Sequence, residues 1–179
     1  MREMKDHVIK QTRNKGLGVI ALRIFKKGEH IFHVDLTKLK RYTVREIDGN
    51  PELNGDHSDY VGHDKYVVDH SPASYMNHSC DPNCYVKMRT IAVKDVYALR
   101  DIEKGEELTH DYTATSVDQF AGKGFWEEEC KCGSKNCRRI LHGDLFKLPK
   151  SLQRKYYPNL PASIRRKYKR HFDKLREAK

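Results

Sequence analysis

The chain has 179 residues, enough for one domain with a hydrophobic core plus an appendage, and 34% of them are charged against 37% hydrophobic. Apolar segments recur along most of its length, which excludes a disordered chain, and no apolar run approaches the roughly 20 residues needed to cross a bilayer. The net charge of +10 is concentrated: residues 146–179 hold 12 of the 35 Lys and Arg but only Asp173 and Glu177 of the 25 acidic residues, so the remaining 23 of each sign cancel.

In chain order, Met1-Arg2-Glu3-Met4-Lys5-Asp6 lacks the apolar core of a signal peptide, which predicts an intracellular protein, cytoplasmic or nuclear, with reduced thiols. Residues 17–24 are predicted as a strand opened by a glycine turn, and Lys26-Lys27-Gly28-Glu29 as a turn before a short apolar stretch, Ile31 to Val34. Residues 41–63 are polar and read as a turn-rich insertion, followed by a strand at Tyr66-Val67-Val68. Two β-rich runs, Tyr85 to Val93 and Val96 to Leu99, split by Lys94-Asp95, predict a hairpin. Many short strands and no long amphipathic helix before residue 145 indicate a mainly β domain. Beyond it, Ile164, Tyr168, Phe172 and Leu175 fall on one face of a helix that Pro161 can start, and a shorter helix is predicted near Ser151–Tyr156, ended by Pro158. Lys and Arg fill the other positions of this basic helical extension. That footprint suits nucleic acid or an acidic protein surface.

Three of the five cysteines crowd into Cys130-Lys131-Cys132-Gly133 and Cys137, a C-x-C-x4-C pattern. Structural zinc takes four soft or borderline ligands in a tetrahedron, so a fourth must come from elsewhere. Cys80, Cys84, His78 and His142 are the candidates. A second constellation, Tyr75-Met76-Asn77-His78-Ser79-Cys80-Asp81-Pro82-Asn83-Cys84, is dense in hydrogen-bonding groups and ends in a turn; a ligand site, a metal half-site and a satisfied turn all fit it. The third is Gly105-Glu106-Glu107-Leu108-Thr109-His110-Asp111-Tyr112, a short extended segment leading into Tyr112. The fourth, Lys15-Gly16-Leu17-Gly18, offers glycines that let a backbone approach a ligand closely.

In this order, the glycine turn, Asn-His-Ser-Cys, Glu-Leu-Thr-x-Asp-Tyr and C-x-C-x4-C strongly resemble the SET-domain lysine methyltransferases, from about Lys15 to Leu141. The resemblance implies a β-clip, SET-type fold of short curved sheets with a pseudoknot, in which the Asn-His segment threads beside the Tyr-bearing one. It divides the chain into a SET domain at 1–118, a post-SET zinc segment at 119–145 and the helical extension at 146–179. It implies that the backbone of Lys15, Gly16 and Leu17 holds S-adenosylmethionine, with Gly18 shaping the turn, and that Asn77, His78 and Tyr112 contact it too. Cys80 joins Cys130, Cys132 and Cys137 on Zn2+, which leaves Cys84 a free, buried thiol.

The implied activity is methyl transfer to a protein lysine, on a histone or another basic protein. Tyr112 is the catalytic tyrosine and is best read as an orienting hydroxyl, because an unperturbed tyrosine is protonated at neutral pH. Phe120, Phe125 or Trp126 can wall the channel. The family's pattern is broken at Leu17, where an aromatic is common, at Ser74-Tyr75, where Arg-Phe is common, and at His110, where Phe or Tyr helps set the number of methyls. A ring at His110 that holds a water in the space of a second methyl favours mono- or dimethylation. No long cysteine-rich segment precedes residue 15, so a small free-standing form is expected. Two competing readings are a catalytically silent SET-like module that binds peptide or cofactor, and a zinc-stabilised nucleic-acid-binding protein using Arg165-Arg166-Lys167 and Lys169-Arg170.

Overall fold

The computed structural model describes residues 6–13, 15–53, 57–117 and 126–177. Strands β1 (His7–Gln11) and β2 (Leu17–Ala21) form an antiparallel hairpin with His7 opposite Ala21. Strand β3 (His30–Asp35) is followed by a short helix, α1 (Val44–Asp48), and a second hairpin, β4 (Ser58–Gly62) with β5 (Lys65–Val68). A two-residue strand, β6 (Asn77–His78), precedes a third hairpin of β7 (Cys84–Met88) and β8 (Val93–Ala98), and then β9 (Glu107–His110). A small hairpin of β10 (Glu127–Glu129) and β11 (Ile140–His142) leads to α2 (Lys150–Tyr156), α3 (Ala162–Lys167) and α4 (Lys169–Glu177).

The sheets are short. One runs β1-β2-β9-β6, another β3-β8-β7, and two are isolated hairpins. Strand β9 lies antiparallel to β2, with Val19 opposite Leu108, and parallel to β6, with Asn77 opposite Thr109 and His78 opposite His110. Residues about 30 apart in sequence therefore run side by side, the threading expected of the mainly β, SET-type fold. Among the described residues two apolar cores result. The first gathers Val19, Phe25, Val67, Met76, Ala98, Ile102 and Leu108 between the sheets. The second joins Met88 and Val117 to Leu145, Tyr156, Ile164, Phe172 and Leu175 under the C-terminal helices.

Several local expectations need correction. The hairpin turn after β7 lies at 89–92: Thr90 Oγ1 accepts from the N–H groups of Ala92 and Val93. Lys94 and Asp95, expected at the turn, sit inside β8 because both charges are paired. Lys94 bonds Asp59, and buried Asp95 accepts from Arg89 and meets His30 and His33. The 41–63 stretch holds α1 and β4. Its helix signal was a capping box, Thr43-Val44-Arg45-Glu46, in which Glu46 N–H donates to Thr43 Oγ1 and Thr43 N–H to Glu46.

The predicted 17–24 strand ends at Ala21, leaving Leu22 and Ile24 exposed, and β1 was not anticipated. The single C-terminal helix is two, parted at Tyr168, where the backbone leaves helical angles at φ −104 and ψ 18 and the ring rests on Phe146, centroids 4.6 Å apart. Ile164, Phe172 and Leu175 still share the buried side. None of the described helices is long and apolar enough to cross a membrane. The expected boundary between 1–118 and 119–145 falls within 118–125, outside the described residues.

Candidate active site and metal centre

Strand β9 is held on every edge. Asn83, a buried residue of the Asp81-Pro82-Asn83 turn, imitates a peptide group: its Oδ1 accepts from Thr109 N–H at 2.8 Å and its Nδ2 donates to Glu107 O at 2.8 Å. On the other side Asn77 Nδ2 donates to Leu17 O at 2.9 Å and to Glu107 Oε1 at 2.7 Å, while Lys15 Nζ reaches Glu107 Oε2 at 2.7 Å. These side chains crowd over Gly18, where a Cβ would lie 2.6 Å from Thr12, 2.7 Å from Glu107 and 2.8 Å from Asn77. Glycine is required there so that three side chains can converge on the backbone.

Past β9 the chain enters a 3-10 turn, Tyr112–Thr115, capped by Asp111, whose Oδ1 accepts from Thr113 N–H at 3.1 Å. Tyr112 N–H donates to His78 Nδ1 at 3.2 Å, and Tyr112 Oη donates to Met76 O at 3.0 Å. Burial pushes the Tyr112 hydroxyl up to about 12, so it is protonated at neutral pH. Its proton is committed to Met76 O, and its oxygen lone pairs remain to accept. His110 stands beside it, ring centroids 5.1 Å apart. Burial drives the His110 imidazole down to about 4, and its shielded Nδ1 has no hydrogen-bond partner among the described residues. His78 is likewise pushed down to about 4 by burial, against the opposing pull of Asp111.

A cleft of about 950 Å3 opens over these residues. Lys15, Asn77, His78, His110, Tyr112 and Trp126 line it, as do five carboxylates: Asp48, Asp59, Asp69, Glu128 and Glu129. Of the aromatic walls expected, Trp126 is present, its ring against Gly143, whereas Phe120 and Phe125 lie outside the described residues.

At the end of the cleft, His78, Cys80, Cys130 and Cys132 present ligand atoms that all lie within 4.8 Å of one another. Cys80 Sγ is 3.7 Å from Cys130 Sγ, a sulfur separation compatible with two ligands of one tetrahedral ion. Cys137 adjoins the group, its Sγ 3.6 Å from Cys130 O. Backbone N–H groups of Arg138 and Arg139 aim at Cys80 and Cys137 sulfurs, at 3.3 and 3.4 Å, as outer partners of metal-bound thiolates do. The donor set therefore fits zinc. His142 is engaged elsewhere, with Glu127 at 2.8 Å, and Cys84 is a buried thiol that burial pushes up to about 12.

The fold thus brings Lys15, Asn77, His78, His110 and Tyr112 to one cleft and the cysteines to its end. Gly16 adopts φ 72 at the hairpin turn, and Leu17, the first residue of β2, is 48% exposed. Residues not singled out from the sequence also matter. Glu107 ties Lys15 to Asn77, Met76 supplies the carbonyl that orients Tyr112, and Arg138 grips Asp111 with two bonds of 2.7 and 2.6 Å. Glu107 and Asp111 lay in the motif ending in Tyr112 and Met76 in the Asn-His segment, each without a role of its own, and Arg138 carried no signal.

A sequence model of the SET domain matches residues 16–113, more than half of the chain. The chain belongs to the SET-domain family. Every cleft residue named above from Asn77 to Tyr112 falls within that match, Lys15 lies one residue before it, and the three clustered cysteines lie beyond it. Among curated relatives, the histone-lysine N-methyltransferase trithorax of Drosophila virilis is 41% identical over 86 residues, covering 44% of this chain and 2% of that protein. The histone-lysine N-methyltransferase set-2 of Caenorhabditis elegans is 29% identical over 151 residues, covering 78% of this chain and 10% of that protein. The probable histone-lysine N-methyltransferase set-23 of Caenorhabditis briggsae is 39% identical over 71 residues, covering 37% of this chain and 27% of that protein. This SET-domain chain therefore spans only 2% to 27% of the length of these three relatives. Its fold matches the crystallised methyltransferase domain of the human histone-lysine N-methyltransferase SETMAR, with a TM-score of 0.53 at 22% identity over 74% of this chain and 56% of that one.

Proposed function

We propose that this SET-domain chain transfers a methyl group from S-adenosylmethionine to a lysine of a protein, and that Tyr112 orients the reacting groups. The observation that carries this reading is the parallel pairing of Asn77-His78 with Thr109-His110, which puts Asn77, His78 and Tyr112 on one cleft. Its volume accommodates a nucleoside-sized ligand together with a lysine side chain. The backbone of Lys15, Gly16 and Leu17, with Gly18 shaping the turn, and the Asn77-His78 segment are the proposed cofactor contacts. S-adenosylmethionine supplies an activated methyl group on a cationic sulfur.

The nucleophile is a neutral amine, whereas a free lysine has a pKa of about 10.4. A shielded channel favours the uncharged form by desolvation. Tyr112 is a poor base, with its hydroxyl near 12 and donating to Met76 O, but its oxygen accepts a hydrogen bond from the amine and fixes its line of attack. His110, neutral and beside Tyr112, lines the cleft and occupies part of the room a further methyl needs. The product is then mono- or dimethyl-lysine, and His110→Phe shifts it towards trimethylation, read by mass spectrometry of a methylated peptide.

For the metal, Cys80, Cys130, Cys132 and Cys137 are the proposed Zn2+ ligands. His78 Nδ1 accepts from Tyr112 N–H, which leaves its ring proton on Nε2, 3.2 Å from Cys80 Sγ. In that tautomer His78 donates to a thiolate and cannot ligate. Held by these cysteines, zinc would order the wall from Glu128 to Cys132 and so couple metal to activity. On this reading residues 119–145 form the post-SET zinc segment.

The five carboxylates around the cleft support a basic protein substrate, a histone among them, and with it an intracellular, chromatin-associated or cytoplasmic setting. Exposed Arg166, Arg170 and Lys174 on α3 and α4 support contact with nucleic acid or an acidic surface. Labelled S-adenosylmethionine with a panel of basic proteins tests the proposal. Transfer should fall by about two orders of magnitude in Tyr112→Phe. Cofactor binding without transfer to any protein would instead make the chain a silent module. Salt-sensitive nucleic-acid binding lost in an Arg166→Gln, Arg170→Gln, Lys174→Gln triple variant tests the basic surface.

A further inference from the structure

We infer that the C-terminal helical unit is part of the active-site apparatus, with Tyr156 a positioning residue that holds Tyr112 through the carboxylate of Asp111. The inference rests on Tyr112 being the catalytic tyrosine. The helices do not act by lining the cleft: among the described residues, no cleft-lining residue comes from beyond Gly143. They reach the site from behind.

Asp111 is 2% exposed and sits between His110 and Tyr112. Four donors converge on it. Oδ1 accepts from Thr113 N–H at 3.1 Å and from Arg138 Nη2 at 2.6 Å, and Oδ2 accepts from Arg138 Nη1 at 2.7 Å and from Tyr156 Oη at 2.8 Å. The four come from three places in the chain: the catalytic turn itself, the loop after the third clustered cysteine, and the end of α2. Burial alone would favour a neutral acid, but the Arg138 guanidinium holds Asp111 below the usual carboxylate range. A buried carboxylate stays in place only while its lone pairs are filled, so each donor limits how the 111–113 backbone can move. His78 Nδ1 lies 3.7 Å from Asp111 Oδ1 and accepts from Tyr112 N–H, which adds a second tether to the same peptide.

Packing makes Tyr156 a fixed support. It is 5% exposed, belongs to the second apolar core, and is carried by a helix whose Gln153 donates to Phe146 O and Leu148 O at 2.9 and 2.7 Å. On the side facing β7, a separate cavity of about 310 Å3 reaches Cys84, Tyr85, Asp111 and Tyr156. Side chains do not fill that space, so the hydroxyl-to-carboxylate bond is a principal link between α2 and the catalytic turn there.

The test is Tyr156→Phe in the full chain, which deletes one hydroxyl and keeps the ring in the core. Hydrogen exchange of the amides over 109–116 should accelerate about 5- to 30-fold, while peptides of β3 and β8 and the zinc content stay as in the wild type. Methyl transfer should lose a similar factor in kcat with little change in KM for S-adenosylmethionine. The loss should vanish in a Tyr112→Phe background, because a residue acting through Tyr112 has nothing left to position. Tyr157→Phe is the control, since Tyr157 packs on Phe172 in the same unit at 4.3 Å between centroids, and it should change neither measurement. Unchanged exchange over 109–116 in Tyr156→Phe overturns the inference whether or not the chain turns over. A kcat loss that persists fully in the Tyr112→Phe background overturns it too, reducing Tyr156 to general packing. Absence of transfer by the wild type would instead sink the proposed activity, and the exchange data would still decide the clasp.

Discussion

The two apolar cores of this chain are assembled in different ways. The first draws Val19, Phe25, Val67, Ala98 and Leu108 from positions spread over some 90 residues and depends on strands that meet only when the fold closes. Members of the second from Leu145 to Leu175 are neighbours in sequence, and aromatic contacts reinforce them, with Phe172 4.3 Å from Tyr157 and 6.0 Å from Phe146. The first core tolerates a buried charge, Asp95, by surrounding it with Arg89, His30 and His33. The segment that carries Tyr112 is the length of chain that passes from one core to the other: Leu108 is buried in the first, Val117 in the second, and Tyr112 lies between them. A residue at such a seam can be anchored from both sides and still face a cleft. Neither core provides that in its interior.

The widest separation of the two regions should come from Phe172→Ala, which leaves a cavity in the second core and costs about 3 to 5 kcal/mol. Denaturant melts followed by hydrogen exchange should place the loss in residues 145–175 and the seam, with β3, β7 and β8 largely protected. Equal loss of protection everywhere would show one cooperative unit and break the comparison.

A smaller effect is expected for Asp95→Asn in the first core, about 1 to 2 kcal/mol at neutral pH. Burial opposes its charge, but its His33, Arg89 and His30 partners bring the Asp95 carboxyl down to about 2 from the ordinary 3.8. A lowered carboxylate contributes stability that is present above 3.8 and lost as pH falls through about 2. The gap between wild type and variant should therefore narrow between pH 4 and pH 2 in urea titrations at each pH, and a gap that widens in acid would reverse the assignment. Smallest of all, Asp173→Asn removes exposed pairs with Lys169 and Arg176 on α4 and should change the melt by less than about 0.5 kcal/mol. A larger loss would mean that the second core depends on its charged face as well as its apolar one.

How much was legible in advance follows the same division. The stripe Ile164, Phe172, Leu175 was readable because helical periodicity is local, and the break at Tyr168 was not, because it belongs to a contact with Phe146. The capping box at Thr43 and Glu46 was present in the sequence but submerged in a polar stretch. Lys94-Asp95 looked like a turn because two polar residues, one of them Asp, split two β-rich runs. Its partners Asp59, Arg89, His30 and His33 come from other elements, and only their arrival makes a strand possible there.

By itself the sequence determined which chemistry is available. It contained the cysteine spacing suited to zinc, the Asn77-His78 and Tyr112 motifs in their order, the basic C-terminal extension, and the likeness that led to the SET-domain family. Tertiary structure alone decided how those groups are used. Parallel pairing of β6 with β9 set His78 against Tyr112, Met76 O accepted the tyrosine's hydrogen bond, and His78 entered the cysteine group beside Cys80. Asp111, an ordinary letter in its motif, became the joint between the helices, the cysteine loop and the turn that carries Tyr112. Hydrogen bonds between residues tens of positions apart are directional and short-ranged, so they exist only once the backbone has been brought within about 3 Å by the packing of both cores.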